Sequence, residues 1–414
     1  CCFDGVKFKT FNKQEHDSDV PPRKIQRIVE DKNGYIWVKT IDRKLYVFNK
    51  VTECFHAVYD DMKNYSENIQ VIKLQNTAEG DVLLLTKDKN LLLAGVDEKG
   101  QVTIKILFDS RDEINKHDYT LKHHVLCETE EYISWIGTDY KVSAVHKGAE
   151  LASRPADFIT SKINSGDKDS FTSFFEDGRK VWVGDRAGIF YSIDVRTGLV
   201  NRYVLSEIKG AISNLLVTPA GYVYLSVTGQ GTYEYDLAER RLQKINTEMN
   251  DAMVTHAFID QYDKIWFHEN EKALIYYDPL NHTAKRFPFT MFGKITTLYS
   301  EDAGERGLFF LSPAGEAWLF DREHAEMVYI NKLKQLSNDR ANQQFYHLML
   351  DNDGVLWLSS ADEGVYCMNF PKKQFNLLSL SPQSAGQENY TTGVRALFQS
   401  KSGDIWVGTR WQSV

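Results

Sequence analysis

Arginine, histidine, glutamine and aromatic residues recur at corresponding places along this chain of 414 residues, most of them where a turn begins after an alternating apolar segment. Such planar polar side chains can donate hydrogen bonds to neighbouring hydroxyl groups, and aromatic rings can stack on the apolar face of a sugar. The candidate ligand-binding residues are Arg43, Tyr140, Arg186, Gln230, His268, Glu269, Tyr346, Arg410 and Trp411. Together they have the chemistry that binding of a saccharide requires, and the alternative is that they are ordinary solvated loop residues.

Patterns that carry enzymatic chemistry are missing from the sequence. It has no phosphate-binding loop, no Gly-x-Ser-x-Gly, no His-Glu-x-x-His and no nucleotide fingerprint. His123 and His124 are adjacent, so their rings point to opposite faces of a strand and cannot share a metal. His268-Glu269 and Asp60-Asp61 have no third ligand at a useful spacing. We therefore predict no catalytic residue, no metal site and no cofactor.

The composition is that of a globular chain. Apolar residues make up 42% and only 9 residues are proline, which is too apolar for a disordered segment. The 49 Lys and Arg against 57 Asp and Glu give a net charge of −8, which argues against a nucleic-acid binder. No apolar run approaches the ~18 residues that span a bilayer. The five cysteines are scattered without Cys-x-x-Cys spacing, so neither a zinc site nor a disulfide framework is indicated.

One block of sequence recurs along the whole chain and must position the candidate residues. It consists of an apolar strand, a polar turn with Gly, an alternating strand centred on Trp, and two further strands; Ile25–Thr40, Phe345–Ser360 and Val394–Thr409 are the best copies. Nine copies are centred on residues 37, 83, 135, 182, 224, 266, 310, 357 and 406. Four short strands in each block predict an all-β fold, the β-propeller of four-stranded blades.

The repeated Trp and Asp are expected to hold the blades together, so ligand binding must lie in the loops that vary between copies. In a propeller, the loop after the second strand and the approach to the first strand meet on one face, around the central channel. The candidate residues occupy these two places, together with His256 and His347.

The pattern Asp-x-x-Gly-x-x-Trp-x-Gly-Thr resembles the two-component regulator propeller repeat, as found in the periplasmic sensor region of Bacteroides-type hybrid two-component system sensor histidine kinases. Ser402–Thr409 and Asp31–Trp37 carry the match, and Phe3–Phe11 looks like the end of that family's first repeat. We call the central position of each copy the Trp slot. The Gly-Thr pair after the Trp slot is kept in only two copies, at 137–138 and 408–409. The resemblance spans essentially the whole chain.

The resemblance implies a periplasmic ligand-sensing fragment of an inner-membrane protein, which responds to a glycan-derived oligosaccharide and signals to a histidine kinase outside this chain. The fragment itself would not be an enzyme. The family suggests seven blades, and the repeat count allows eight. We predict a first propeller over 1–380 with an incomplete N-terminal blade, a linker over 381–390 and the start of a second propeller over 391–414.

The implied partners are an oligosaccharide, the second propeller and downstream sensor domains of the same protein, and a second copy in a homodimer. Nucleic acid is not a predicted partner, and the membrane would be reached only through a helix outside this chain. Two other functions stay open: a propeller-fold glycoside hydrolase or lyase, and a protein–protein interaction scaffold. Cys1 as the lipid-bearing residue of a processed lipoprotein is an alternative to a fragment end.

Overall fold

The computed structural model describes most of the chain, in segments. The described residues are 2–3, 8–9, 25–63, 65, 70–88, 90–109, 121–137, 141–148, 158–162, 171–245, 254–269, 272–292, 299–312, 316–332, 345–360, 365–369, 374–378 and 394–409. They form two compact units: residues 1–106 with 297–414 are unit 1, and residues 107–296 are unit 2.

Unit 1 is built from five four-stranded antiparallel sheets. The composite sheet joins both ends of the chain, with β1 (Cys2–Phe3), β2 (Phe8–Lys9), β35 (Val394–Gln399) and β36 (Ile405–Thr409). Sheet 1 has β3 (Ile25–Glu30), β4 (Ile36–Thr40), β5 (Leu45–Asn49) and β6 (Cys54–Ala57), and sheet 2 has β7 (Val71–Asn76), β8 (Val82–Thr86), β9 (Leu91–Val96) and β10 (Val102–Phe108). Sheet 7 has β27 (Tyr299–Asp302), β28 (Leu308–Leu311), β29 (Glu316–Asp321) and β30 (Glu326–Lys332), and sheet 8 has β31 (Phe345–Leu350), β32 (Val355–Ser360), β33 (Val365–Asn369) and β34 (Gln374–Leu378). A short helix, α1 (Tyr59–Met62), and a 3-10 turn at Gly304–Arg306 complete the described elements.

Unit 2 is built from four more sheets of the same kind. Sheet 3 has β11 (Leu121–Glu128), β12 (Tyr132–Gly137), β13 (Lys141–His146) and β14 (Phe158–Lys162), and sheet 4 has β15 (Phe171–Glu176), β16 (Lys180–Asp185), β17 (Ile189–Asp194) and β18 (Val200–Val204). Sheet 5 has β19 (Ile212–Val217), β20 (Tyr222–Val227), β21 (Gly231–Asp236) and β22 (Arg241–Lys244). Sheet 6 has β23 (Val254–Ile259), β24 (Ile265–Glu269), β25 (Ala273–Asp278) and β26 (Thr283–Pro288), followed by a 3-10 turn at Phe289–Phe292.

The predicted all-β fold with four-stranded propeller blades is confirmed. Every predicted repeat centre lies in the second strand of a sheet, from Trp37 in β4 to Trp406 in β36. Eight sheets are contiguous in sequence, in agreement with the eight copies counted before residue 380. Neighbouring sheets within each unit bury apolar side chains against each other, as Trp37 of sheet 1 does in a cluster with Leu84 of sheet 2.

The last two strands do not stand apart from the first two. Cys2 pairs with Trp406 and Phe3 with Ile405, so β36 and β1 are neighbours in the composite sheet. The predicted linker over 381–390 lies outside the described residues. The predicted domain boundaries, with a second propeller starting at 391, stay a prediction.

The carboxylate of Asp31 explains the spacing of the repeat motif. Its Oδ1 accepts the backbone N–H groups of Asn33 and Tyr35, both at 3.0 Å, which fixes the turn. Gly34 follows with φ +85°, a conformation that costs a residue with Cβ. Oδ2 of Asp31 accepts the indole N–H of Trp37 at 2.9 Å. One acid therefore orders the turn and anchors the buried ring six residues later, which is why Asp, Gly and Trp recur together.

The same bond recurs in both units. Trp182, Trp266 and Trp357 donate to Asp177, Asp260 and Asp351 over 2.7, 3.2 and 2.7 Å. Sheet 5 is built differently, since Tyr224 takes the Trp slot and its hydroxyl donates to Oε2 of Glu234 at 3.0 Å. Tyr277 of sheet 6 donates to the same oxygen at 3.1 Å. Glu234 is only 5% exposed, so two buried phenols satisfy this carboxylate and join the two sheets.

Candidate functional site

A β-bulge near the start of the first strand sets the geometry of one end of most sheets. In sheet 1, Ile25 pairs with Thr40 and Arg27 with Lys39, so Gln26 is left without a partner across the ladder. The residue after the bulge and its partner on the second strand form what we call the end pair of a sheet. The end pairs are Arg27–Lys39, Lys73–Leu85, Ser173–Gly184, Asn214–Ser226, His256–His268, His347–Ser359 and Ala396–Gly408.

The predicted ligand-binding residues lie at these same ends where the structure describes them. Arg43 and Arg186 occupy the turns after β4 and β16 and are exposed, whereas Gln230 occupies the turn after β20 and is half-buried. His268 and Glu269 end β24, and Tyr346 is the bulged residue of β31. Tyr140, Arg410 and Trp411 lie outside the described residues.

Gln230 is engaged with the loop that precedes β19. Its amide oxygen accepts the backbone N–H of Lys209 at 2.7 Å, and its amide nitrogen donates to the carbonyl of Glu207 at 3.0 Å. Both ends of the amide are therefore used in holding this loop against the turn after β20.

Glu269 is engaged in a similar way. It is 3% exposed, and Nε and Nη2 of Arg286 donate to its Oε2 at 3.2 and 3.0 Å. Asp185, at the corresponding position of sheet 4, is 1% exposed and accepts the N–H groups of Ala187 and Ile189. Burial raises the pKa of the Asp185 carboxyl, against the effect of these hydrogen bonds. Both acids stabilise their own sheet.

His268 and His256 face each other across β23 and β24. Burial lowers the pKa of His268, and the charge of His256 lowers it further. The ring of His268 lies 5.1 Å from that of Phe289, centroid to centroid. A neutral imidazole beside an aromatic ring can both donate and accept hydrogen bonds, as a sugar hydroxyl requires.

The end pair of sheet 1 in unit 1, Arg27–Lys39, is charged. Neither residue was among the predicted site residues. Lys39 is 6% exposed, and its Nζ donates to the carbonyl of Ile72. Burial lowers its pKa to about 8, and the charges of Arg43 and Arg27 act in the same direction. The repeat register could have located both residues, since six of the seven end pairs stand ten residues before and two after the repeat centre, as Arg27 and Lys39 do around Trp37.

The end pair of sheet 8 holds unused hydrogen-bonding capacity. Nδ1 of His347 and Oγ of Ser359 are both buried and have no hydrogen-bond partner among the described residues. Burial lowers the pKa of His347, and the charge of Arg27 lowers it further. A buried polar atom without a partner is costly, so this pair is suited to a bound polar group.

Within the described segments, no group of three or more His, Cys, Asp or Glu side chains is placed to hold a metal ion. The helices found there are also too short and too polar to cross a membrane. The ends of the sheets thus offer cationic, imidazole and hydroxyl groups rather than a metal centre.

No family model matches this chain, and no curated protein matches it. Solved structures do resemble it. The extracellular domain assigned to a one component system of B. thetaiotaomicron is 10% identical, with a TM-score of 0.42 and coverage of 97% of this chain and 66% of that one. The extracellular domain assigned to a hybrid two component system of the same organism is 14% identical, with a TM-score of 0.37 and coverage of 97% and 52%.

An enzyme is also among the similar structures. Virginiamycin B lyase from Staphylococcus aureus is 9% identical, with a TM-score of 0.42 and coverage of 70% of this chain and 92% of that one. At such identities the likeness concerns the fold alone. The chain spans about two thirds and about half of the lengths of the two sensor-system domains.

Proposed function

We propose that this chain is the ligand-sensing propeller region of a hybrid two-component sensor. It lies in the periplasm, binds a glycan-derived oligosaccharide at the ends of its sheets, and passes the signal to a histidine kinase elsewhere in the parent protein. The second propeller, the downstream sensor domains and a second copy of the protein complete the sensor.

The observation that carries the proposal is that the framework of the sheets repeats whereas the end pairs vary. The Asp–Trp bond repeats in four sheets, in both units, whereas all seven end pairs differ from one another. A repeated frame with unlike polar groups at one end is suited to recognising an irregular polar molecule. None of the seven end pairs contains a carboxylate.

The lack of a carboxylate at these pairs supports binding rather than hydrolysis. A glycosidase places two carboxyl groups ~5–10 Å apart across the scissile bond. The two acids next to the end pairs, Asp185 and Glu269, are each tied to groups of their own sheet.

Calorimetric titration with plant and host oligosaccharides tests the proposal, using both this chain and the complete extracellular region of its parent. We expect one class of oligosaccharide to give saturable heat, with no new products in the chromatographed mixture. Cleavage of any sugar would overturn the sensor proposal in favour of an enzyme. Binding by the complete region but not by this chain would overturn the placement of the site at these sheet ends.

A further inference from the structure

We propose that Arg27, Lys39 and Arg43 of unit 1, with the end pair His347–Ser359, form a site for an oxyanion, a carboxylate or sulfate group carried by the sugar. This inference deepens the proposed function and depends on it for the sugar. The anion site can also be tested by itself.

Two of the three cationic residues, Lys39 and Arg43, contact the start of β7. Arg27 and Lys39 are partners across β3 and β4, and Nζ of Lys39 donates to the carbonyl of Ile72. The carbonyl of Arg43 accepts the N–H of Val71 at 2.8 Å. The turn that carries Arg43 and the side chain of Lys39 are thus fixed to two consecutive residues of sheet 2.

Among the described residues, no carboxylate forms an ion pair with these cations. The side chains of Arg27 and Arg43 form neither an ion pair nor a hydrogen bond among the described residues, and Lys39 binds a neutral carbonyl. Elsewhere in unit 1, partly buried cations do have acids: Lys50 lies 2.6 Å from Glu30 and Arg322 lies 2.7 Å from Asp302.

An oxyanion supplies what this cluster lacks. Guanidinium groups bind carboxylate and sulfate oxygens through paired, charge-assisted hydrogen bonds. The buried charge of Lys39 is costly without a counterion, so a bound anion would stabilise its protonated form.

The backbone of Arg43 adds an independent observation. Arg43 has φ +67°, in the left-handed region that favours glycine, and its N–H donates to the carbonyl of Thr40. The corresponding turn of sheet 4 has Gly188 there, with φ +82° and the same bond to Asp185. Arg43 therefore occupies a position where sheet 4 has glycine, and Arg43→Gly is a substitution that the backbone tolerates.

His347 and Ser359 provide the neutral part of the site. Their buried Nδ1 and Oγ have no partner among the described residues and can form hydrogen bonds to an oxyanion. Strands β31 and β3 both pack against β35 of the composite sheet, which brings their bulged ends near each other. The charge of Arg27 accordingly lowers the pKa of His347. The two groups therefore belong to the same electrostatic environment.

Calorimetric titration of the chain with sodium glucuronate, glucose 6-sulfate, glucose and inorganic sulfate tests the site. We expect the two anionic sugars to bind about tenfold or more tightly than glucose, since a charge-assisted hydrogen bond is of this magnitude. Arg27→Gln and Arg43→Gly should each remove about tenfold of that affinity. At about pH 8.5, slightly above the lowered pKa of Lys39, the heat should depend on the buffer, because anion binding draws a proton onto Lys39. Arg179→Gln, an exposed arginine in the turn that precedes β16 at the other end of sheet 4, is the matched control and should change nothing.

Equal affinity for glucose and glucuronate would overturn the anion site and leave the proposed sensor function standing. An equal loss of affinity in Arg179→Gln and Arg43→Gly would also overturn it, because the effect would then be one of net charge. Binding of anionic sugars and of sulfate at the same residues, with no oligosaccharide bound in the wider panel, would support the anion site and count against the sensor proposal. Circular dichroism of Arg43→Gly checks that the fold is kept.

Discussion

The end pairs of unit 1 and unit 2 have the same backbone but different chemistry. Unit 1 has Arg27–Lys39, Lys73–Leu85, His347–Ser359 and Ala396–Gly408, whereas unit 2 has Ser173–Gly184, Asn214–Ser226 and His256–His268. The first set is cationic and the second is neutral apart from its histidines. Because the bulge forms with either set, the register does not depend on the identity of these side chains.

If the two units have equivalent frameworks, removing the central tryptophan should destabilise each of them to a similar extent. Trp37→Ala and Trp266→Ala should each lower the free energy of unfolding by ~3–5 kcal/mol, since both rings are fully buried. Urea denaturation followed by circular dichroism measures the loss. Leu199→Ala, at an exposed position, is the control. A loss below ~1 kcal/mol in only one of the two tryptophan variants would show that the scaffolds are not equivalent.

Substituting the residue with positive φ in the turn after the second strand should have a smaller effect on stability. A Cβ on Gly188 would lie 2.7 Å from Cγ2 of Ile208, and φ is +82°. Gly188→Ala should therefore cost ~1–3 kcal/mol. Arg43→Gly should change the free energy of unfolding by less than ~1 kcal/mol, since glycine relieves the strained φ but loosens the unfolded chain.

Thermal and urea denaturation of both turn variants give the comparison directly. If Arg43→Gly is as unstable as Gly188→Ala, Arg43 contributes to folding rather than to binding.

The last test concerns a dependence of stability on pH that arises in unit 1. Burial lowers the pKa of Lys39 to about 8 in the folded chain, from 10.5 when unfolded. Between these values the unfolded chain holds more protons, so the free energy of unfolding rises with pH over this window. Urea denaturation at several pH values from 7.5 upward should show the rise.

Lys39→Met should flatten that rise. Lys63→Met, which removes an exposed lysine whose pKa is raised by the Asp60 hydrogen bond, should leave it unchanged. An unaltered slope in Lys39→Met would mean that Lys39 keeps an ordinary pKa in the folded chain.

The framework of sheets could be predicted from the sequence because the repeat motif is periodic. The Trp slot locates every second strand, and Asp31 and Gly34 mark the turn that precedes it. The two acceptor roles of the Asp carboxylate, to backbone and to indole, cannot be inferred from spacing. They depend on side-chain direction within the turn.

The candidate site was harder to predict from the sequence, because pairing across a β-bulge is not visible in the residue pattern. Gln230 and Glu269 look available in the sequence, yet their partners Glu207 and Arg286 lie on other strands or loops and are visible only after packing. Arg27 and Lys39 look like ordinary surface charges until the register of β3 and β4 brings them together. Whether the nine predicted residues bind a ligand stays a prediction.

The composite sheet has a consequence for synthesis of the chain. Cys2 and Phe3 pair with Trp406 and Ile405, so the two strands that meet are far apart in the chain. At about 5–20 residues per second, the ribosome needs roughly 20–80 s to pass from one strand to the other. Throughout that interval one edge of β1 lacks its final partner, and an unpaired strand edge favours aggregation. Pairing of β1 with β36 is therefore the step at which a molecular chaperone would have a long time to act.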